Sequence, residues 1–212
     1  DHETWVRQAF ARLGEVRGKD VLDWGCGHGM AAVVLARRGA TVTACDLSAG
    51  YVAEARARAR ANGVAVRCVV ADAQRLPFAG HSFDAVWGHA ILHHLDVSLA
   101  ARELWRVLRP GGVAVLCEPW NGNPFVRFAR RWLAWHTPDE EPLGPTDVRE
   151  LKAVFDHVKV EGCQLLAMLR RATPSPGLRA ALLRHDVRLL GRCPRLQRYC
   201  RYVVITLRDN GN

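Results

Sequence analysis

Near the start of the chain, Asp23-Trp24-Gly25-Cys26-Gly27-His28-Gly29 combines an acid with three glycines at alternate positions. Glycine tolerates the backbone of a sharp turn and lets a ligand approach the main chain closely. The spacing here is GxGxG, whereas the turn that cradles a dinucleotide is GxGxxG. A carboxylate two residues before the first glycine would also repel a diphosphate and attract an ammonium or sulfonium group. Asp23 therefore points to a ligand bearing positive charge; the alternative is a simple cap on the turn. Cys26 and His28 lie within the loop, and His28 is a candidate ligand contact.

Two more acids follow at comparable places. Asp46 closes the apolar run TVTACDL, just before Leu47 and 17 residues beyond Gly29. A carboxylate there accepts two hydrogen bonds and suits a ribose diol. Asp72 closes VAVRCVVAD and can accept from an exocyclic amine, while the Ala73 N–H can donate to a ring nitrogen. One Asp at a turn is ordinary. Acids closing three successive runs, the first inside GxGxG, are a far more specific combination.

A fourth run, FDAVWGH, ends in His89, with His93 and His94 shortly after it. Histidine is the side chain best poised near neutral pH to take up a proton. His89, nearest the end of the run, is the first candidate base or acceptor contact and His94 the second; packing or capping by all three is the alternative. Glu118, in CEPWN, is another candidate base, against the alternative of a loop acid bonded to nearby backbone. Trp24, Trp87 and Trp120 fall at or near the ends of these runs, where an aromatic face can attract a cation, although burial is the commoner fate. No metal-ligand set stands out, and no metal is expected.

Such residues converge if each run is a strand of a parallel sheet, because open α/β sheets bind ligands outside the carboxyl ends of their strands. The pattern supports this. Strands are expected up to Asp23 and over 41–47, 64–72, 83–89 and 113–117, with helices over 31–38, 49–61 and 99–108 between them. Gly39, Asn62-Gly63 and Pro110-Gly111-Gly112 end those helices. Alternating strands and helices mean βαβ units in a doubly wound, Rossmann-like sheet. After Glu118 the rhythm breaks: helices are expected over 125–136, 147–155 and 178–190, and β-like runs over 158–169 and 202–208. This C-terminal third is read as the last strands plus helical lid or insertion elements. We expect one domain over 1–212, with 16–118 as its cofactor-binding core and 119–212 as its substrate side.

VLDWGCGHG (21–29), ACDLS (44–48), VVADAQRLPF (69–78), FDAVWGHAILHHL (83–95) and LRPGG (108–112) resemble the motifs of class I S-adenosylmethionine (SAM)-dependent methyltransferases. The resemblance runs over roughly Val16 to Glu118. It is greatest to the small-molecule group that includes the ubiquinone and menaquinone methyltransferases and many natural-product enzymes. It implies a seven-stranded, mostly parallel sheet with an antiparallel last strand, SAM as cofactor and S-adenosylhomocysteine (SAH) as product. By the same resemblance Asp23 and the 25–29 loop hold the methionine moiety, Asp46 the ribose, and Asp72 with Ala73 the adenine. Leu47 and His89 border the same pocket. The implied acceptor is a small or lipid-like molecule.

Composition sets limits on the alternatives. With 49% hydrophobic and 24% charged residues, the chain is neither disordered nor fibrous. No apolar run reaches the 18–20 or so residues of a membrane span. No signal peptide is expected from DHETWVRQAF. Seven cysteines without a CxxC pair suggest reduced thiols in the cytoplasm. The net charge of +9 is concentrated late: residues 1–120 carry 14 basic and 12 acidic groups, residues 121–212 carry 16 and 9. A basic third can mean nucleic acid, an anionic membrane or solubility alone. Phe125, Phe128, Ala129 and Trp132 share one helical face opposite Arg127, Arg130 and Arg131, giving a lid, a packed helix or a peripheral membrane contact. An RNA or nucleic-acid methyltransferase, or a non-catalytic RNA-binding protein on the same fold, is the rival reading. WGHAILHH lacks the (N/D)PP(Y/F) of an amino-directed nucleic-acid enzyme, which disfavours the first of these.

Overall fold

In the computed structural model, residues 3–124, 142–173 and 175–209 are described. Seven strands form one sheet in the order β3-β2-β1-β4-β5-β7-β6. They are β1 (Asp20–Trp24), β2 (Thr41–Asp46), β3 (Val66–Val70), β4 (Phe83–His89), β5 (Leu108–Pro119), β6 (His157–Cys163) and β7 (Tyr202–Arg208). β1 to β5 pair in parallel with their neighbours, and β7 runs antiparallel to both β5 and β6. The antiparallel last strand expected from the resemblance is present. Chain order reverses between β1 and β4, the switch point at which such sheets open a crevice.

Six α-helices accompany the sheet among the described residues: α1 (Glu3–Arg12), α2 (Met30–Arg37), α3 (Ala49–Ala61), α4 (Val97–Val107), α5 (Pro145–Lys152) and α6 (Pro176–Arg192). Strand alternation divides the core into two layers. Leu22, Trp24, Val86, Leu116 and Ile205 face α4 and α5, where Ala100, Leu104 and Leu151 are buried. Val21, Ala44, Ala85, Trp87 and Val115 face α1, α2 and α3. Phe10 of α1 stacks on Trp87 with ring centroids 4.0 Å apart and an interplanar angle of 4°.

Several boundaries differ from expectation. The strand beginning near residue 158 ends at Cys163, and 167–172 form a short 3-10 turn. Gln164 breaks the run with φ of 64°. Asp186 of α6 then accepts from the Leu166 and Ala167 N–H groups at 2.6 and 2.9 Å, so the apolar LLAM segment turns under α6. β5 starts at Leu108, the last residue of the expected helix, and runs through the expected turn at 110–112, while α4 starts at Val97, capped by Asp96 accepting from the Leu99 N–H at 2.9 Å. The helix α1 has no counterpart among the expected elements. The expected amphipathic helix over 125–136, and with it the membrane contact, lies outside the described residues.

At the sheet's lower end, Arg109 spans two strands. Its Nη1 donates to Asp84 at 2.6 Å and its Nη2 to Asp20 at 2.8 Å. The Asp20 N–H also donates to Asp84 at 2.8 Å.

Candidate functional site

Parallel register brings the ends of β1, β2, β3, β4 and β5 to one edge of the sheet, with Asp46 opposite Val70 and His89 opposite Cys117. The glycine loop leaves β1 at this edge. Gly25, Gly27 and Gly29 have φ of 66°, 47° and 73°, all left-handed, which explains why the loop needs glycine. Their surroundings differ. A Cβ on Gly25 would lie 2.7 Å from Ile91, and one on Gly29 would lie 2.7 Å from the Ala55 backbone. A Cβ on Gly27 would meet nothing within 4 Å. Two glycines therefore serve close packing, and the middle one faces open space where a ligand can approach.

Asp23 is 2% exposed, and its Oδ2 has no hydrogen-bond partner among the described residues. Burial pushes its carboxyl up to about 7; the Ala32 N–H opposes this, and the charge of Asp46 adds to it. A buried carboxyl with one oxygen unpartnered is costly in its charged form unless something of opposite charge arrives. This is a fit to a cationic ligand beside the loop. Cys26 does not offer a nucleophile: burial, then Asp23 and Asp46, push its thiol upward, so it stays protonated.

Asp46 organises the neighbouring turn. Its Oδ2 accepts from the Gly27 N–H and its Oδ1 from the Ser48 N–H, each at 2.9 Å. Each carboxylate oxygen retains a second lone pair for a diol. Leu47 beyond it is 74% exposed, an apolar surface at the rim. Asp72 is exposed and accepts from the Gln74 N–H at 2.8 Å. The Ala73 carbonyl accepts from the Trp24 indole at 3.1 Å, which ties the segment after β3 to the end of β1.

The other expected residues separate. His28 pairs through its Nδ1 with Glu54 of α3 at 2.5 Å, and its ring meets Tyr51 edge-on. His89 is half-buried at the end of β4 and has a polar or ring partner. His94 is exposed and its ring lies 4.0 Å from that of His93. Glu118 is fully buried, with its oxygens on Ile91, Leu92 and His93. Trp24 and Trp87 are packing residues, each 1% exposed or less.

Two residues escaped the sequence reading. Ile91 packs on Gly25, and Met30, 63% exposed, follows the loop at the start of α2. Nothing in an isolated Ile signals such a contact. Met30 adjoins Gly29 and was legible by position. A cavity of about 210 Å³ lies elsewhere, between α1, the end of β6 and α6, bordered by Arg12, Glu161, Leu183 and Asp186. No helix among the described residues is long and apolar enough to cross a membrane.

Comparison with known proteins agrees with this geometry. Residues 22–116 match the family described as a methyltransferase domain. Methyltransferase GfsG of Streptomyces halstedii is 42% identical over 120 residues, 55% of this chain and 43% of that protein. The demethylmenaquinone methyltransferase of Thermobifida fusca is 42% identical over 137 residues, 62% of this chain and 56% of that protein. The chain thus spans about half the length of these curated relatives. An S-adenosylmethionine dependent methyltransferase from Mesorhizobium loti has the same fold, with a TM-score of 0.67 at 22% identity, over 95% of this chain and 96% of that one.

Proposed function

We propose that the chain, whose residues 22–116 match the methyltransferase-domain family, transfers a methyl group from SAM to a small-molecule acceptor of natural-product or quinone type. The observation that carries this reading is the buried Asp23 carboxyl, whose Oδ2 has no partner among the described residues, behind a glycine loop that is open at Gly27. The neighbouring acids at the ends of β2 and β3 support it. SAM, when bound, supplies a methyl group already activated on a sulfonium.

The chain's own residues have limited tasks in such a reaction. Asp23 and the 25–29 loop hold the charged amino-acid end of the cofactor, Asp46 the ribose hydroxyls, and Asp72 with Ala73 the base, with Leu47 covering its apolar face. His89 and His94 are the groups available to take the acceptor's proton. Glu118, fully bonded in the interior, acts through its neighbours. Alignment of two reactants alone can be worth about 7–11 kcal/mol, so a rigid crevice supplies most of what the reaction needs. In this reading residues 16–118 carry the cofactor, and 119–212 shape the acceptor side in a single domain. The acceptors named for the relatives, demethylmenaquinone among them, support the acceptor class. The seven free cysteines support a cytoplasmic setting.

Isothermal titration calorimetry with SAH tests the cofactor half directly. The wild type is expected to bind one equivalent at micromolar Kd or tighter, about −8 kcal/mol. Asp46→Asn, which keeps one acceptor oxygen for the turn, is expected to bind more weakly. A folded wild type that ignores SAH would overturn the assignment.

A further inference from the structure

The Glu118 carboxylate sits at the end of β5 with no exposed surface. Its Oε1 accepts from the Ile91 N–H at 3.1 Å and the Leu92 N–H at 2.9 Å, and its Oε2 lies 2.7 Å from His93 Nδ1. The His93 side chain is only 4% exposed. These bonds pin the short turn Leu92–His94 that follows β4. The chain enters that turn through Ala90, whose φ of 54° is left-handed, so the segment is held against its backbone preference.

Two consequences follow from the bonding. The first concerns the glycine loop. Ile91, fixed by Glu118, lies where a Cβ on Gly25 would come within 2.7 Å of it. The segment after β4 therefore forms the wall on which the loop rests. The second concerns protons. A carboxylate oxygen only accepts, so Nδ1 of His93 carries the hydrogen of this bond. The neighbouring His94 ring lies 4.0 Å away and is tilted by 38°.

We propose that Glu118 is a positioning residue of the methyl-transfer site, clamping Ile91 against the Gly25 turn and holding His93 as its Nδ1–H tautomer. This rests on the methyltransferase reading for its purpose, though the bonding can be tested by itself. Glu118→Gln is the discriminating variant. Its carbonyl oxygen must stay on the two backbone donors, because turning the amide round would oppose N–H to N–H. Its NH2 group then faces His93 Nδ1 and forces the opposite tautomer.

Long-range proton–nitrogen correlation spectra of 15N-labelled protein read the tautomer, with His93 assigned by the signal lost in His93→Gln. The wild type is expected to show Nδ1–H and Glu118→Gln to show Nε2–H. Ile91→Ala, a half-buried position that leaves the strand bonds intact, is expected to weaken SAH binding about tenfold while the protein stays folded. An Nε2–H wild type, an unchanged tautomer in Glu118→Gln, or full SAH affinity in Ile91→Ala would each overturn the proposal. If Glu118→Gln does not fold, the wild-type tautomer and Ile91→Ala still decide it. A wild type that binds no SAH removes the methyltransferase reading and the Ile91 clamp with it, while the tautomer spectra still decide the Glu118–His93 bond.

Discussion

The Trp24 indole N–H donates to the Ala73 carbonyl at 3.1 Å, joining residues that are 49 positions apart in the chain. Both are buried, so neither group has water as a substitute partner. The bond fixes the segment after β3 relative to the glycine loop, across the width of the proposed cofactor site.

Trp24→Phe keeps the aromatic packing and deletes only the donor. Leaving the Ala73 carbonyl unpaired in the core should cost about 1–3 kcal/mol. Urea unfolding measures this directly. A variant as stable as the wild type would mean that the carbonyl finds another partner and that the two strand ends are not coupled through this bond.

Glycine substitutions should separate architecture from ligand contact. Gly29→Ala places a Cβ against the Ala55 backbone in a left-handed conformation, combining about 1–2 kcal/mol of backbone cost with about 1–3 kcal/mol of overpacking. Gly27→Ala bears only the first cost, since its Cβ would meet nothing. The expectation is a clearly destabilised Gly29→Ala and a folded Gly27→Ala that has lost SAH affinity. Equal affinity in Gly27→Ala and the wild type would show that no ligand approaches the loop there.

Asp23 makes stability depend on pH in an unusual direction. Its carboxyl is raised from 3.8 to about 7 by burial, so between these values the folded state binds more protons than the unfolded state. Stability from this group is fully present below about pH 4 and is lost as pH rises toward and through 7. The loss runs at about 1.4 kcal/mol for each pH unit crossed and reaches roughly 4 kcal/mol at most. Asp23→Asn cannot ionise and escapes that loss. Its stability relative to the wild type should therefore be greater at pH 8 than at pH 4.5 in urea titrations. A difference that does not change with pH would contradict the raised titration of the buried carboxyl.

The same group predicts a proton signature on binding. A positive ligand beside Asp23 lowers its pKa and expels its proton. Calorimetry near pH 6.5, in two buffers of different ionisation enthalpy, should show more proton release with SAM than with SAH, which lacks the sulfonium charge. Identical release for both would place the sulfonium away from Asp23.

The legible part of the molecule was the part governed by local pattern. Alternating apolar runs and capped helices fixed β1, β2 and β4, and the acids at the strand ends marked the crevice. What the pattern could not convey depends on partners distant in the chain. Glu118 has the sequence setting of a candidate base; its role is set by Ile91, Leu92 and His93, some 25 to 27 residues earlier. His28 has the setting of a ligand contact because it lies in the glycine loop, and its pairing with Glu54 of α3, 26 residues on, is not legible from that loop. The LLAM segment is apolar enough for a strand, and the capping acid that bends it, Asp186, comes 20 residues after Leu166. The Asp23 motif conveys the kind of charge but not its state, because burial depth is not written in a motif.

The Arg109 bridge to Asp20 and Asp84 lies at the end of the sheet remote from the crevice. It locks the alignment of β1, β4 and β5 where no ligand is handled. The rim at the opposite end is thereby relieved of that duty. Loops and side chains there can be exchanged over generations to suit a new acceptor without the central strands slipping past one another. A fold anchored at its floor in this way can diversify at its mouth.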